Sequence, residues 1–167
     1  LISTRLYLKF MLVKINYKNS SFNKKSQNLI LFVDEKFNIS NLQKFISTSE
    51  HSFISDLIKS KNIKNKIMTF DINSKRKIIL VSIKKNITSS EIENLGAKFY
   101  EFIKNFKQHE YHVNSETDFS TLKNTVGYFL HGIKLKSYKF EKYKTKKTNK
   151  TIVINVIGKL IPNTIDQ

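Results

Sequence analysis

The sequence predicts an α/β fold in which helices cover both faces of a mixed β-sheet. Two continuously apolar runs, 29–33 and 78–83, are typical of strands that are buried on both faces. Amphipathic helical patterns lie between the predicted strands, which is the succession expected of a layered α/β domain. The length of 167 residues fits one domain, and a chain of that size can bury a substantial core.

In the first half of the chain, the strand patterns are interrupted by one helical pattern. Apolar residues recur at helical spacing between Leu42 and Ile58 and predict one amphipathic helix over 41–60, with Ser40 as its N-cap. The strands predicted here are 12–17, 29–33 and a hairpin formed by 66–72 and 78–83.

The second half alternates helices and strands. Thr88 and Glu91 have the spacing of a capping box, which predicts a helix over 91–106. Asp118 is expected to cap a further helix, in which Gly127 and Gly132 indicate close packing. The remaining predicted elements are a short strand at 111–113, that helix at 118–135 and a strand at 151–156.

Charge is the strongest compositional signal. Thirty basic residues against 13 acidic ones give a net charge of +17, which points to nucleic acid or an anionic surface as a partner. Only Arg5 and Arg76 are arginines, although Arg is the residue that reads bases and clamps phosphates bidentately. The abundance of Lys, Asn, Ile and Phe also fits an AT-rich genome, so compositional drift is favoured over function as the explanation of much of the charge. No membrane partner is expected, because no run of about 18 apolar residues occurs.

Absent residue types exclude several chemistries. The chain has no Cys, which excludes disulfides, Cys-based zinc sites and thiol nucleophiles. It has only four Gly, at 96, 127, 132 and 158, so no Gly-rich turn can surround a phosphate with backbone amides. This argues against a nucleotide-binding enzyme and against an ADP-ribose-binding module that works through such loops.

The titratable residues give weak signals for catalysis. His109 and His112, with Glu116 as a third ligand, could form a metal site or a hydrolase centre, but solvated loop histidines are the favoured interpretation. His51 lies among Ser and Thr residues without a triad signature, and His131 suits packing or the surface. The pair 34–35, Asp and Glu, follows a buried strand, where α/β active sites occur, but a polar turn is favoured.

A lysine-rich run with interleaved aromatic residues occupies 134–147. It suits a stacking platform in a basic groove, but an exposed connector whose lysine stems lie along the core is the favoured interpretation. The candidate surface consists of Lys136, Tyr138, Lys139, Lys142, Tyr143, Lys144, Lys146 and Lys147.

The run 127–147 resembles the end of the N-terminal domain of the leucyl aminopeptidase (cytosol aminopeptidase) family, where a helix ends in a Tyr-Lys-Thr-Lys-Lys segment. The succession of strands and helices over about 11–160 is similar to that domain. The resemblance implies a macro-domain-like fold, with a leader or tail at 1–10, the domain at 11–148, and a strand and linker at 149–167. A separate C-terminal catalytic domain would follow.

The resemblance implies a cytoplasmic parent enzyme that removes N-terminal residues from peptides with two divalent metals, manganese or zinc. Its catalytic motif does not occur here, so no catalytic, cofactor-binding or metal-binding residue is assigned to this chain. The implied partners are the catalytic domain, other subunits of a hexamer and, in some family members, DNA. The alternative function is a free-standing basic nucleic-acid-binding domain. A hydrolase whose active site contains His109, His112 and Glu116 is the third and least favoured function.

Overall fold

The computed structural model describes residues 13–18, 28–142 and 151–158, and the side chains of the last helix as far as Lys139. Strands and helices follow one another in the predicted order. They are β1 (Val13–Lys18), β2 (Asn28–Val33), α1 (Thr48–Ser60), β3 (Ile67–Asn73), β4 (Arg76–Ser82), α2 (Ser89–Ile103), β5 (Glu110–Asn114), α3 (Thr125–Lys142) and β6 (Ile152–Ile157), with 3-10 helices at Ser40–Lys44 and Ser115–Thr117.

The six strands form one mixed sheet in the order β1-β6-β5-β2-β4-β3. Neighbouring strands are parallel except in the β3–β4 hairpin, which is antiparallel. The predicted α/β class is confirmed, because α1 packs on one face of the sheet and α2 and α3 pack on the other.

Strand β2 contains the apolar run 29–33, which predicted a strand buried on both faces. Its side chains alternate between two cores: Ile30 and Phe32 pack with α2 and α3, whereas Leu29 and Leu31 pack with α1. On the α2–α3 side, Phe32 meets the edge of Phe129 with ring centroids 5.4 Å apart. Both faces of the strand are therefore buried, which removes the polar alternation of a half-exposed strand.

The single helix predicted over 41–60 is wrong. The structure has a 3-10 helix at Ser40–Lys44 and then α1, which begins after Ser47. Ser47 forms a capping box with Glu50: its side chain accepts from the Glu50 backbone N–H, and Glu50 accepts from the Ser47 backbone N–H. Because Ser47 is extended, the helix cannot pass through it, and Ser40 is not the N-cap.

The helix predicted over 118–135 begins seven residues later than expected and extends further. Helix α3 starts at Thr125, after Asn124, whose φ of 61° lies in the left-handed region. Asp118 does not cap it, because its carboxylate accepts from the backbone N–H and hydroxyl of Ser120. By contrast, the capping box of Thr88 and Glu91 is confirmed at the start of α2.

Two glycines let α2 and α3 approach closely. A Cβ on Gly132 of α3 would meet the backbone carbonyl of Glu93, and one on Gly96 of α2 would meet the backbone carbonyl of Phe129. The close packing expected at Gly132 is therefore confirmed. At Gly127 the atoms nearest to an added Cβ belong to the side-chain amide of Asn124.

A buried ion pair holds the start of α1 against the start of β4. Glu50 accepts from Arg76 at both carboxylate oxygens, with Nη2 3.2 Å from Oε1. Burial alone raises the pKa of Glu50, but the Arg76 guanidinium and the Ser47 backbone N–H outweigh it and hold that pKa below its usual value. The pair therefore stays ionised inside the fold.

We expect Gly132→Ala to lower the free energy of unfolding by about 1–3 kcal/mol, because the new methyl group meets backbone, which cannot rotate away. Urea denaturation measures the loss. Gly127→Ala is the matched control in the same helix, and its loss should be smaller because the Asn124 side chain can move. Equal losses in the two variants would contradict the close-packing explanation.

Candidate functional site

The connections leaving β2 and β5 diverge to opposite faces of the sheet. The two strands are parallel neighbours, yet the chain after β2 leads to α1 on one face and the chain after β5 leads to α3 on the other. Divergence of this kind opens a crevice at the carboxyl ends of the two strands, where open α/β sheets bind ligands.

A cavity of about 510 Å³ lies at that point, and we name it the crest cavity. Its volume is within the range of small-molecule sites. The residues that line it lie at the end of β2 or follow β2 or β5 in the chain: Phe32, Val33, Asp34, Asn38, Asn41, Leu42, Lys44, Phe45, Glu116, Thr117 and Phe119.

Asp34 forms the wall on the β2 side. Its Oδ1 accepts from the backbone N–H groups of Lys36 and Asn38, each at 3.0 Å, so it organises a turn as the sequence indicated. The same residue lines the crest cavity. Glu35 does not line this cavity; it lines a smaller depression beside Lys64.

Thr117 ties the β5 side of the cavity to β2. Its hydroxyl oxygen accepts from the Phe32 backbone N–H at 3.0 Å and donates to the Asn114 carbonyl at 2.7 Å. The side-chain Oδ1 of Asn114 accepts from the Glu116 backbone N–H at 2.9 Å. These bonds fix the short 3-10 helix that carries Glu116 and leads to Phe119.

The residues that line the crest cavity carry a net negative charge, whereas the whole chain is strongly positive. Among the described residues that line it, Asp34 and Glu116 are acidic and Lys44 is the one basic residue. The lining contains no Gly, so it lacks the Gly-rich turn that presents backbone amides to a phosphate. The arrangement does not suit a pyrophosphate.

The histidine cluster is not assembled as a metal site. His112 lies in β5 with 4% of its surface exposed, so the interpretation as a solvated loop histidine is wrong for it. Its Nε2 lies 3.2 Å from Nδ2 of Asn155, which also donates to Glu110 at 2.7 Å. His109 is exposed, as expected of a solvated residue. Across the described residues, no three His, Cys, Asp or Glu form a group that could hold a metal.

The other two histidines make single polar contacts. His51 Nε2 lies 3.1 Å from the Ile39 carbonyl, and therefore joins α1 to the segment before it. His131 Nδ1 lies 2.6 Å from Oε1 of Glu93, on the exposed side of the α2–α3 contact.

Part of the lysine-rich surface belongs to α3. Lys136 forms an ion pair with Glu101 of α2 at 3.4 Å, whereas Tyr138 and Lys139 are exposed. The backbone of Lys142 ends the described helix, and Tyr143, Lys144, Lys146 and Lys147 lie outside the described residues. Within the described ranges, no helix is long and apolar enough to cross a bilayer.

Comparison with known proteins supports the fold but gives no sequence family. No protein-family model matches the sequence, and no curated protein matches it. A solved structure of a tomato leucine aminopeptidase mutant matches 87% of this chain with a TM-score of 0.64 and 14% identity. The macrodomain of Thermus aquaticus DarG matches 88% of this chain with a TM-score of 0.55 and 6% identity. The IBV X-domain matches 87% of this chain with a TM-score of 0.54 and 10% identity.

These likenesses define the class of fold. The chain has a macro-domain-like α/β fold, as the resemblance implied. It spans 32% of the tomato enzyme's chain but 99% of the DarG macrodomain. The likeness to the aminopeptidase is therefore one of fold, over a part of that enzyme.

We expect the free energy of unfolding to fall as the pH drops below about 6.5, because burial lowers the pKa of His112. The Glu110 charge opposes that shift in part and Lys18 adds to it. The unfolded chain then takes up the proton more readily than the folded chain, so acid favours unfolding until the pH falls below the folded pKa.

Urea denaturation between pH 7.5 and 5 measures this dependence. His112→Gln should lose less stability over that interval than the unmodified chain, whereas His109→Gln, at an exposed position, should follow the unmodified chain. An unchanged pH slope in His112→Gln would show that the buried imidazole is not responsible.

Proposed function

We propose that this chain is the N-terminal, non-catalytic domain of a leucyl aminopeptidase-like protein. The observation that carries the proposal is the fold match to part of the tomato enzyme, whose TM-score of 0.64 exceeds the 0.55 and 0.54 of the two macro-type structures. The Tyr-Lys-Thr-Lys-Lys segment at 143–147 supports the same assignment.

The parent protein would remove N-terminal residues from peptides in the cytoplasm, using two divalent metals, manganese or zinc, in a separate catalytic domain. The described residues of this chain do not fit those metals, because they contain no group that could hold one. No step of hydrolysis is therefore assigned to this domain.

The role proposed for this domain is assembly: it packs against the catalytic domain and against neighbouring subunits of a hexamer. Large apolar side chains that remain exposed on α2 and α3 are available for such contacts. Phe102 of α2 and Tyr128, Leu135 and Tyr138 of α3 are exposed on the helical layer that covers one face of the sheet.

The purified chain should not hydrolyse leucine p-nitroanilide, with or without added manganese, because the reaction needs a catalytic domain. Absorbance of released nitroaniline measures turnover, and a complete leucyl aminopeptidase in the same buffer is the positive control. Metal-dependent turnover that co-purifies with the chain through two different columns would overturn the proposal.

Nucleic-acid binding is the second candidate function. The net charge of +17 supports it, as do the exposed Tyr138 and Lys139 on α3. Binding of this kind depends on phosphate contacts and releases condensed counterions from the nucleic acid. The free-energy gain of that release shrinks as the salt concentration rises, so the affinity falls steeply with salt.

If nucleic acid is the partner, the affinity for a labelled DNA duplex should fall by at least about tenfold between 50 and 200 mM salt. Fluorescence anisotropy measures it. Lys144→Glu, Lys146→Glu and Lys147→Glu together should weaken binding equally for unrelated sequences. Affinity that is insensitive to salt, or unchanged in the triple variant, would remove this candidate.

A further inference from the structure

The crest cavity combines aromatic rings with carboxylates. Phe119 is 40% exposed and Phe45 is half-buried, and both line the cavity, whereas Phe32, which also lines it, is buried. Asp34 and Glu116 reach the same cavity from opposite sides, one after β2 and one after β5. Val33 and Leu42 complete an apolar wall.

We propose that the crest cavity binds a small organic cation, an amine or guanidinium carried on an apolar group. The carboxylates of Asp34 and Glu116 would face the positive charge, and the rings of Phe45 and Phe119 would hold both the charge and the apolar group. This inference goes beyond the proposed function, because an assembly domain needs no ligand.

The balance of charges selects a cation. The described lining residues carry two acids against Lys44, so an anion would meet a net negative wall. Elsewhere the chain is strongly basic, with a net charge of +17, and its overall field repels cations. A cation that binds this protein must therefore be held by a local arrangement, and the crest cavity supplies one.

The lining also favours an organic cation over a metal ion. Oδ1 of Asp34 already accepts two backbone N–H groups, so Oδ2 of Asp34 and the Glu116 carboxylate are the anionic oxygens left in the lining, fewer oxygens than the roughly six that a calcium or magnesium ion takes. Phenylalanine, valine and leucine side chains cannot replace the water of a hydrated ion. They do stabilise an apolar group that leaves water.

Three probes of similar shape test the charge preference: phenethylamine, neutral phenethyl alcohol and anionic 3-phenylpropionate. Titration of the whole chain, followed by amide shifts in NMR spectra, should show phenethylamine binding about fivefold to tenfold more tightly than the alcohol. The shifts should centre on Asp34, Glu116 and Phe119. Tighter binding of 3-phenylpropionate or of adenosine diphosphate, or of magnesium alone at the same residues, would overturn the proposal.

Single substitutions at the lining test the assignment of residues. Asp34→Asn keeps an oxygen that can accept in the turn, and it should weaken phenethylamine binding about twofold to fivefold. Glu116→Gln should have a similar effect, whereas Lys44→Gln should strengthen binding about twofold.

Glu35→Gln is the matched control, because it removes the same charge one residue away from Asp34 but outside the crest cavity. Its affinity for phenethylamine should equal that of the unmodified chain, and a melting curve checks that each variant is folded. Equal weakening in Glu35→Gln and Asp34→Asn would show that only the overall charge matters, and would overturn the site.

Discussion

The burial of β2 on both faces is the constraint on which the rest of the structure depends. Its alternating side chains belong to two separate cores, so a register shift of one residue would exchange the two cores. Hydrogen bonding to β4 on one side and β5 on the other fixes that register. The crest cavity lies where the connection after β2 diverges from the connection after β5, so its position depends on the pairing of β2 with β5.

Each helical layer packs on the sheet through an apolar core and has a further contact of its own. On one face, Gly96 and Gly132 bring the backbones of α2 and α3 together, which lets Phe129 reach Phe32 and Phe99. On the other face, the shorter α1 is held at its start by the buried pair of Glu50 and Arg76. The further contact is close backbone packing between two helices in the first layer and a charge-assisted hydrogen bond in the second.

Local signals in the sequence predicted the elements well where one physical cause dominated. The apolar runs gave the buried strands, and the spacing of Thr88 and Glu91 gave the start of α2. The predicted helix boundaries were wrong where an apolar pattern continued across a break in the helical backbone, as it does at Ser47 and before Asn124. Asp34 could be identified from its place after a strand, but Glu116 and Phe119 join it only through the non-local pairing of β2 with β5.

The net charge of this protein determines its long-range field, whereas the local charge determines what binds in a cavity. A total of +17 describes the long-range field and says which macromolecules approach the surface. Binding in a cavity depends on the few groups within several ångströms, because distant charges are screened by salt over about 8–10 Å. At the crest cavity those groups are Asp34, Glu116 and Lys44, so the local sign is opposite to the total. A rise in lysine content that follows genome composition can therefore change the long-range attraction of charged partners, while the charges that line such a cavity stay acidic.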